Sequence, residues 1–233
     1  MKDMDSLLAQ VLAFRPNRLV PPFDLQGHIP FVAWLVKELQ PATFVQLGTQ
    51  SGNLYFAACQ TVAEHSLPTR CWAVGTWQAE ELAQRHSVQQ EAGASDYNRQ
   101  HFGAFSGLLR MGDAQALPRF APGSIDLLLI DGRYSPETVR NEYESWRDRL
   151  SDHAVVLLVG IEQADSGAAA LWQQLQPQYP HLAFAHAQGL GVLAVGGNVP
   201  KAFQQALQAC ATPEARNQLA GVADMLLGAQ IQA

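Results

Sequence analysis

Short apolar runs rich in β-branched residues alternate with longer amphipathic segments along most of this chain. This alternation is typical of βαβ units, in which helices connect parallel strands that are buried on both faces. Seven runs predict strands, at 43–47, 71–74, 107–111, 125–130, 154–159, 182–186 and 191–195. Only residues 187–190 separate the last two runs, which is too short for a helical crossover. These two runs therefore predict an antiparallel hairpin at the end of a doubly wound α/β sheet.

Amphipathic periodicity between these runs predicts five helices, at 31–39, 54–63, 80–90, 136–150 and 167–176. Three of these predicted helices are each followed by a proline, at Pro41, Pro68 and Pro177. Proline ends a helix. Ser135 before Pro136 predicts a helix start, because a serine hydroxyl accepts a hydrogen bond from the first turn and proline tolerates its first position.

Composition along the chain predicts three parts. Residues 1–27 are expected to form an N-terminal helix and a proline-containing lead-in, residues 28–197 the α/β domain, and residues 198–233 a C-terminal helical appendage. In the appendage, Thr212-Pro213-Glu214 predicts a helix start, with Leu219, Val222 and Leu226 on one face. That helix either caps the domain or joins two copies as a homodimer.

Overall composition narrows the class of protein. Hydrophobic residues make up 48% and charged residues 15%, which predicts a large core and excludes disorder. The net charge of −6 argues against a nucleic-acid-binding surface. Cys59, Cys71 and Cys210 have neither the spacing of a metal site nor the even number of a disulfide framework, which favours a reducing cytoplasm. Neither a signal peptide nor a membrane span is predicted.

Candidate chemistry follows three of the predicted strands. Residues 48–52 form a glycine-spaced turn that opens a helix; such a turn either presents N–H groups to a ligand or serves strand-to-helix packing. Asp131 follows the run 125–130, where a carboxylate either faces the ligand crevice of an open α/β sheet or caps the helix near Pro136. Asp113 occupies the equivalent place after the third run.

Several ordered stretches resemble the class I S-adenosylmethionine-dependent methyltransferases, and more narrowly the bacterial methyltransferase-like domains found beside glycosyltransferases in cell-surface polysaccharide clusters. The stretches are 27–31, 46–49, 73–77, 124–132, 144–146 and 189–196. Together they cover about residues 20–197. The resemblance implies a Rossmann-like, mostly parallel seven-stranded sheet with a reversed last hairpin, in agreement with the strand pattern.

The resemblance also implies roles for individual residues in binding S-adenosylmethionine. The turn after the first strand would hold the methionine part, the end of the second strand the ribose, and the segment after the third strand the adenine. These roles fall on Gln46, Gly48, Thr49, Gln50, Ser51, Gly52, Gly75, Thr76, Trp77, Asp113, Ala114 and Asp131.

The chain departs from the family pattern at the polar positions. Gln46 stands where the family has Glu, and Gly75 replaces the acid expected to bind the ribose hydroxyls. Leu129 and Tyr134 replace two histidines, and Val159-Gly160 replaces a His-Asp pair. Glu142 stands where the family has Asp. A single remaining carboxylate, Asp131, is a poor divalent-metal site, so no metal is predicted.

Two functions remain open from the sequence. In the first, the chain is a methyltransferase-fold protein linked to cell-surface glycan biosynthesis, with S-adenosylmethionine binding weak or lost, that acts as an interaction module. In the second, it is an active O-methyltransferase on a sugar or glycan precursor. A catalytic base would then come from Asp131 or Tyr134, with His28 and His186 as further candidates. His28 is alternatively a structural residue that fixes the lead-in by a hydrogen bond.

Overall fold

The computed structural model describes residues 9–11, 13–49, 51–75, 84–131, 134–218, 221 and 228. The strands are β1 (Thr43–Leu47), β2 (Arg70–Gly75), β3 (Ser106–Arg110), β4 (Ile125–Asp131), β5 (Leu150–Val159), β6 (His181–Phe184) and β7 (Leu190–Ala194). The main α-helices are α1 (Ile29–Leu39), α2 (Asn53–Glu64), α3 (Gln84–His101), α4 (Asp113–Ala116), α5 (Pro136–Trp146), α6 (Gly167–Leu175) and α7 (Lys201–Ala209). Short 3₁₀ turns lie at Gln26–His28, Leu117–Arg119 and Arg147–Arg149.

The strands form one seven-stranded sheet in the order β3-β2-β1-β4-β5-β7-β6. The first five strands are parallel, and β7 pairs antiparallel with both β5 and β6. The predicted Rossmann-like sheet with its reversed last hairpin is therefore confirmed. The chain order reverses at β1 and β4, so their carboxyl ends open a crevice between the two halves of the sheet.

Two hydrophobic layers cover the sheet because side chains alternate between its faces. On one face, Leu127 and Leu129 of β4 pack with residues of α1, α2 and α7. On the other face, Leu128 and Ile130 pack with residues of α5 and α6. Every residue of β4 is buried, as expected for a central strand with helices on both faces.

Two helix predictions differ from the structure. The helix expected at 80–90 spans Gln84–His101, and residues 80–83 lie outside the described part of the chain. The segment is polar, so its apolar periodicity is weak, but Ala94 and Phe102 still reach the core. The helix expected to reach Leu150 ends at Trp146, because Leu150 begins β5. Helix α7 lies within the helical appendage expected at 198–233, although no bounds of its own were predicted for it; its buried Phe203 and Ala206 attach it to the core.

The predicted helix starts are confirmed. Ser135 caps α5, its Oγ accepting a hydrogen bond from the Thr138 N–H at 3.3 Å. Helical residues 213–218 begin at the predicted Pro213, whereas Leu219, Val222 and Leu226 lie outside the described residues. All three cysteines are free and buried. No helix in the described part of the chain has the length and apolar character needed to cross a bilayer.

Candidate functional site

The turn between β1 and α2 lies at the carboxyl end of the sheet and is built on two glycines. Gly48 and Gly52 have φ angles of 73° and 75°, in the left-handed region that residues with a side chain rarely adopt. The Gly52 N–H donates to the Thr49 carbonyl at 2.7 Å, which closes the turn. Helix α2 begins at the next residue, Asn53, so its amino terminus points toward the crevice.

Asp131 lies directly beside this turn. It is the last residue of β4 and is 5% exposed. A Cβ on Gly48 would lie 2.9 Å from the Asp131 Cβ, so only glycine at position 48 leaves room for this side chain. The capping alternative for Asp131 does not apply, because Ser135 caps α5. The structure thus places the Asp131 side chain against the cofactor-type turn.

The positions that depart from the family pattern are neighbours across the sheet. Gln46 of β1 pairs in register with Leu129 of β4, and Asp131 of β4 pairs with Val159 of β5. The Gln46 Nε2 donates to the Gly48 carbonyl at 3.0 Å, while its buried Oε1 has no hydrogen-bond partner in the described part of the structure. Three of the departing positions, 46, 129 and 159, therefore lie on one surface.

That surface bounds a small cavity of about 20 Å³. A space of this size holds about one water molecule. Its walls combine the first turn, the ends of β4 and β5, and the lead-in before α1; the lining residues are Pro22, Asp24, Leu25, Gln46, Thr49, Ser51, Asn53, Leu54, Leu129, Asp131 and Val159. Asp24 and Asp131 are the ionisable groups among them.

The lead-in is fastened over this cavity by hydrogen bonds that the sequence did not predict. The Asn53 side chain accepts from the Val20 N–H at 3.1 Å and donates to the Val20 carbonyl at 2.8 Å. The Arg18 Nη1 donates to the Ser51 carbonyl at 2.7 Å, and its guanidinium lies 4.9 Å from the centre of the Phe56 ring. Burial lowers the pKa of Arg18. An arginine and an asparagine far apart in sequence carry no local pattern that reveals this contact.

A histidine pair fastens the other side of the lead-in. The His28 Nε2 lies 3.1 Å from the Ala187 carbonyl, and the His186 Nε2 lies 3.2 Å from the Gly27 carbonyl. The two ring centres are 4.4 Å apart. Burial, with a further effect from His186, lowers the pKa of His28 to about 3, so His28 is neutral at physiological pH. These bonds agree with the structural interpretation of His28.

Asp113 and Glu142 form an acidic pair near the ends of β3 and β4. Burial and the negative charges of Asp113 and Asp131 raise the pKa of Glu142 to about 8, and burial raises the pKa of Asp113. Glu142 therefore carries a proton at neutral pH, and its hydrogen bond with Asp113 favours the Asp113 carboxylate. In the described part of the chain, no three acidic, histidine or cysteine side chains are arranged to hold a metal ion.

The remaining predicted site residues lie apart from the cavity. Gly75 ends β2, and a Cβ built there meets no described atom within 4 Å. Ala114 is exposed on α4, and Tyr134 is 49% exposed and is not part of the cavity wall. Gln50, Thr76 and Trp77 lie outside the described residues. The structure thus unites Gln46, Thr49, Ser51 and Asp131, with Gly48 and Gly52 shaping their turn.

Comparison with known proteins agrees with this geometry. Residues 45–158 match the family model described as a methyltransferase domain. The sheet has the Rossmann-like methyltransferase fold, and the matched segment runs from Val45 in β1 to Leu158 in β5.

Solved methyltransferases share the fold at low sequence identity. A Podospora anserina methyltransferase bound to S-adenosylhomocysteine is 12% identical, with a TM-score of 0.54 over 83% of this chain and 87% of that one. An O-methyltransferase of tomaymycin synthesis from Streptomyces achromogenes, in complex with S-adenosylmethionine, is 13% identical, with a TM-score of 0.50 over 84% of this chain and 91% of that one.

A curated relative shows the same segment within a longer protein. An uncharacterized protein of Sinorhizobium fredii is 36% identical over 197 residues, which cover 84% of this chain. The match spans only 22% of that relative's own length.

Proposed function

We propose that this methyltransferase-fold protein has an eroded S-adenosylmethionine site and acts as an interaction module in cell-surface glycan biosynthesis. The observation that carries the proposal is the convergence of the departing positions. Gln46, Leu129 and Val159 line one cavity of about 20 Å³, so three of the departures change the same surface.

The residues at this surface do not fit the cofactor well. A pocket for a ligand of this size has a volume of at least about 300 Å³. The cavity beside the first turn is far smaller, and the lead-in is hydrogen-bonded in place over it. At the ribose end, Gly75 offers no acceptor, so the described residues lack the charge-assisted bonds that an acid would make to two hydroxyls.

Methyl transfer to a sugar hydroxyl also requires a group that accepts the proton. Leu129 and Val159 have no such group, and Tyr134 is exposed outside the cavity wall. Asp131 is the buried carboxylate at the turn, but its neighbours across the sheet are apolar or amide side chains. Asp131 and Asp24 are the carboxylates of the described cavity wall that remain as candidate bases.

Two observations support an interaction role. The Sinorhizobium fredii relative holds the matching segment as 22% of a longer chain, as expected for a domain that works beside others. The resemblance to domains found beside glycosyltransferases points to glycan biosynthesis as the setting.

Calorimetric titration with S-adenosylmethionine and S-adenosylhomocysteine tests the proposal. We expect no saturable heat for either compound up to about 1 mM, which corresponds to a binding free energy weaker than about −4 kcal/mol. Micromolar binding that is lost in both Asp131→Ala and Asp131→Asn would refute the proposal. The asparagine variant keeps the shape of the side chain, so it separates loss of charge from loss of packing.

An active O-methyltransferase is the second candidate, because the chain keeps the Gly48 and Gly52 turn with a carboxylate beside it. Incubation with methyl-labelled S-adenosylmethionine and a panel of sugars and sugar nucleotides distinguishes the two. Transfer of label to an acceptor by the wild-type protein, absent in Asp131→Asn, would establish this second function in place of the first.

A further inference from the structure

A larger cavity lies at the opposite, amino-terminal end of the sheet. Its volume is about 410 Å³, within the range of small-molecule sites. Its wall comes from the starts of β1 and β2, the 3₁₀ turn after α4 and the segment before β4. The residues used below are Thr43, Arg70, Trp72, Arg119, Phe120 and Ser124, and we call this cavity the arginine groove.

The arginine groove carries positive charge on a protein whose net charge is −6. Neither Arg70 nor Arg119 has a carboxylate within ion-pair distance among the described residues. The Arg70 Nη1 donates to the Ala104 carbonyl at 2.7 Å, which fixes the guanidinium and leaves its other N–H groups for a ligand. Two guanidinium groups in one groove favour an anion with several oxygen acceptors.

Asp126, two residues after Ser124 in the chain, has hydrogen-bond partners of its own. The Asp126 Oδ2 accepts from the Ala42 and Thr43 N–H groups at 2.7 and 3.3 Å. Its Oδ1 lies 3.0 Å from the His153 Nε2. Among the described residues, Asp126 forms its contacts with these groups and no ion pair with Arg70 or Arg119.

An aromatic wall lies beside the charged groups. Trp72 is half-buried, and its ring meets Phe120 edge-on with ring centres 6.2 Å apart. A Cβ on Gly107 of β3 would lie 2.4 Å from the Trp72 Cζ3, so the glycine lets the indole lie directly on the neighbouring strand. The indole orientation is therefore set by packing before any ligand binds.

We propose that the arginine groove binds a mononucleotide, with the phosphate on Arg70 and Arg119 and the base against Trp72. Phosphate oxygens match the planar N–H donors of guanidinium groups. Any of the nucleobases can stack on an indole ring. The Thr43 and Ser124 hydroxyls supply further polar groups on the same wall. This site is independent of the proposed function, because it lies at the other end of the sheet from Asp131.

Titration of the full chain with AMP and UMP tests the proposal. Calorimetry and tryptophan fluorescence measure the binding. Adenosine, uridine and inorganic phosphate serve as the base-only and anion-only probes. We expect saturable binding of a nucleotide that is at least about tenfold tighter than that of either fragment. Binding of phosphate as tight as that of the nucleotide, or no binding of any probe, would overturn the proposal.

Matched variants locate the ligand. Arg119 is exposed, so Arg119→Gln should keep the fold while weakening nucleotide binding by about tenfold, as expected for one lost charge-assisted contact. Arg99→Gln removes an equally exposed arginine on α3, away from the groove, and should leave the affinity unchanged. Trp72→Phe should remove the fluorescence response while calorimetry still detects binding. Equal affinities for wild type and Arg119→Gln would place the nucleotide elsewhere.

Discussion

The two ends of the sheet differ in both space and charge. At the carboxyl end, the cavity beside the glycine turn measures about 20 Å³ and its ionisable groups are Asp24 and Asp131. At the amino end, the arginine groove measures about 410 Å³ and its charged groups are Arg70 and Arg119. The smaller cavity is the one that lies where open α/β sheets bind ligands.

The difference shows that the sheet topology determines where a crevice lies, whereas the side chains determine what that crevice can bind. The strand order brings Gln46, Leu129 and Asp131 together whatever their chemistry, and Leu129 and Val159 then make part of that wall apolar. The amino end has no such advantage from topology. Its groove is lined by the 3₁₀ turn that carries Arg119 and by the starts of β1 and β2.

The largest effect on stability should come from adding a side chain at the carboxyl end of the sheet, beside Asp131. Gly48→Ala places a side chain at a φ of 73° and within 2.9 Å of the Asp131 Cβ. We expect the free energy of unfolding to fall by about 2–4 kcal/mol, from backbone strain and overpacking together. Urea denaturation measures the change.

Gly75→Ala is the matched control, because a Cβ there meets no described atom within 4 Å. Its free energy of unfolding should change by no more than about 0.5 kcal/mol. Equal losses in the two variants would show that the carboxyl end is not tighter at Gly48 than at Gly75.

Features that depend on local sequence could be predicted, whereas features that depend on packing between distant segments could not. β1 was predicted with its observed bounds, Thr43–Leu47, and the last hairpin and the Ser135 cap were also predicted, because each follows from a short apolar run or a local hydrogen bond. The bounds of helix α7 were not predicted within the helical appendage at 198–233, because Phe203 and Ala206 are too sparse an apolar pattern without the surface they pack on.

The sites depend even more on contacts between distant segments. Arg70 and Arg119 are far apart in sequence, and only the fold brings them to one groove. Trp72 lies in the predicted strand 71–74, and the structure leaves it half-buried on the groove wall. Likewise, the sequence identified the departures at 46, 129 and 159 singly, whereas strand register makes them one surface.

The next effect tests how firmly the lead-in closes the carboxyl end. Because the pKa of His28 is lowered to about 3 in the fold, the unfolded chain binds a proton near pH 6.5 that the folded chain does not. The stabilising contribution is thus complete above pH 6.5 and is lost as the pH falls from there toward 3. Between pH 6.5 and 5, His28 should account for about 1.5 kcal/mol of lost stability.

Urea denaturation across this pH range measures the slope. His28→Gln should remove that part of the slope, while His65→Gln, at an exposed histidine, should keep it. An unchanged slope in His28→Gln would mean that the buried pair with His186 does not govern the acid sensitivity of the lead-in.

A smaller effect, a gain in cofactor affinity, should follow from restoring an acid at the end of β2. Gly75→Asp adds a carboxylate where there is space, and it should tighten S-adenosylhomocysteine binding by about tenfold through charge-assisted bonds to the ribose hydroxyls. Gly75→Asn adds the same bulk without the charge and should gain much less. No gain in either variant, measured by calorimetry, would show that the cavity near Gln46 blocks the cofactor whatever stands at position 75.

The smallest effect separates the two ends by their response to salt. Raising the ionic strength from about 50 mM to about 200 mM should weaken nucleotide binding to the arginine groove by roughly threefold, because partly exposed guanidinium groups are screened. Binding of S-adenosylhomocysteine to Gly75→Asp should change less, since its main bonds join a carboxylate to uncharged hydroxyls. Calorimetry at the two salt concentrations measures both, with Arg119→Gln as a control that should flatten the nucleotide response. An equal salt dependence at the two ends would mean that charge does not distinguish them, and only the difference in space would remain.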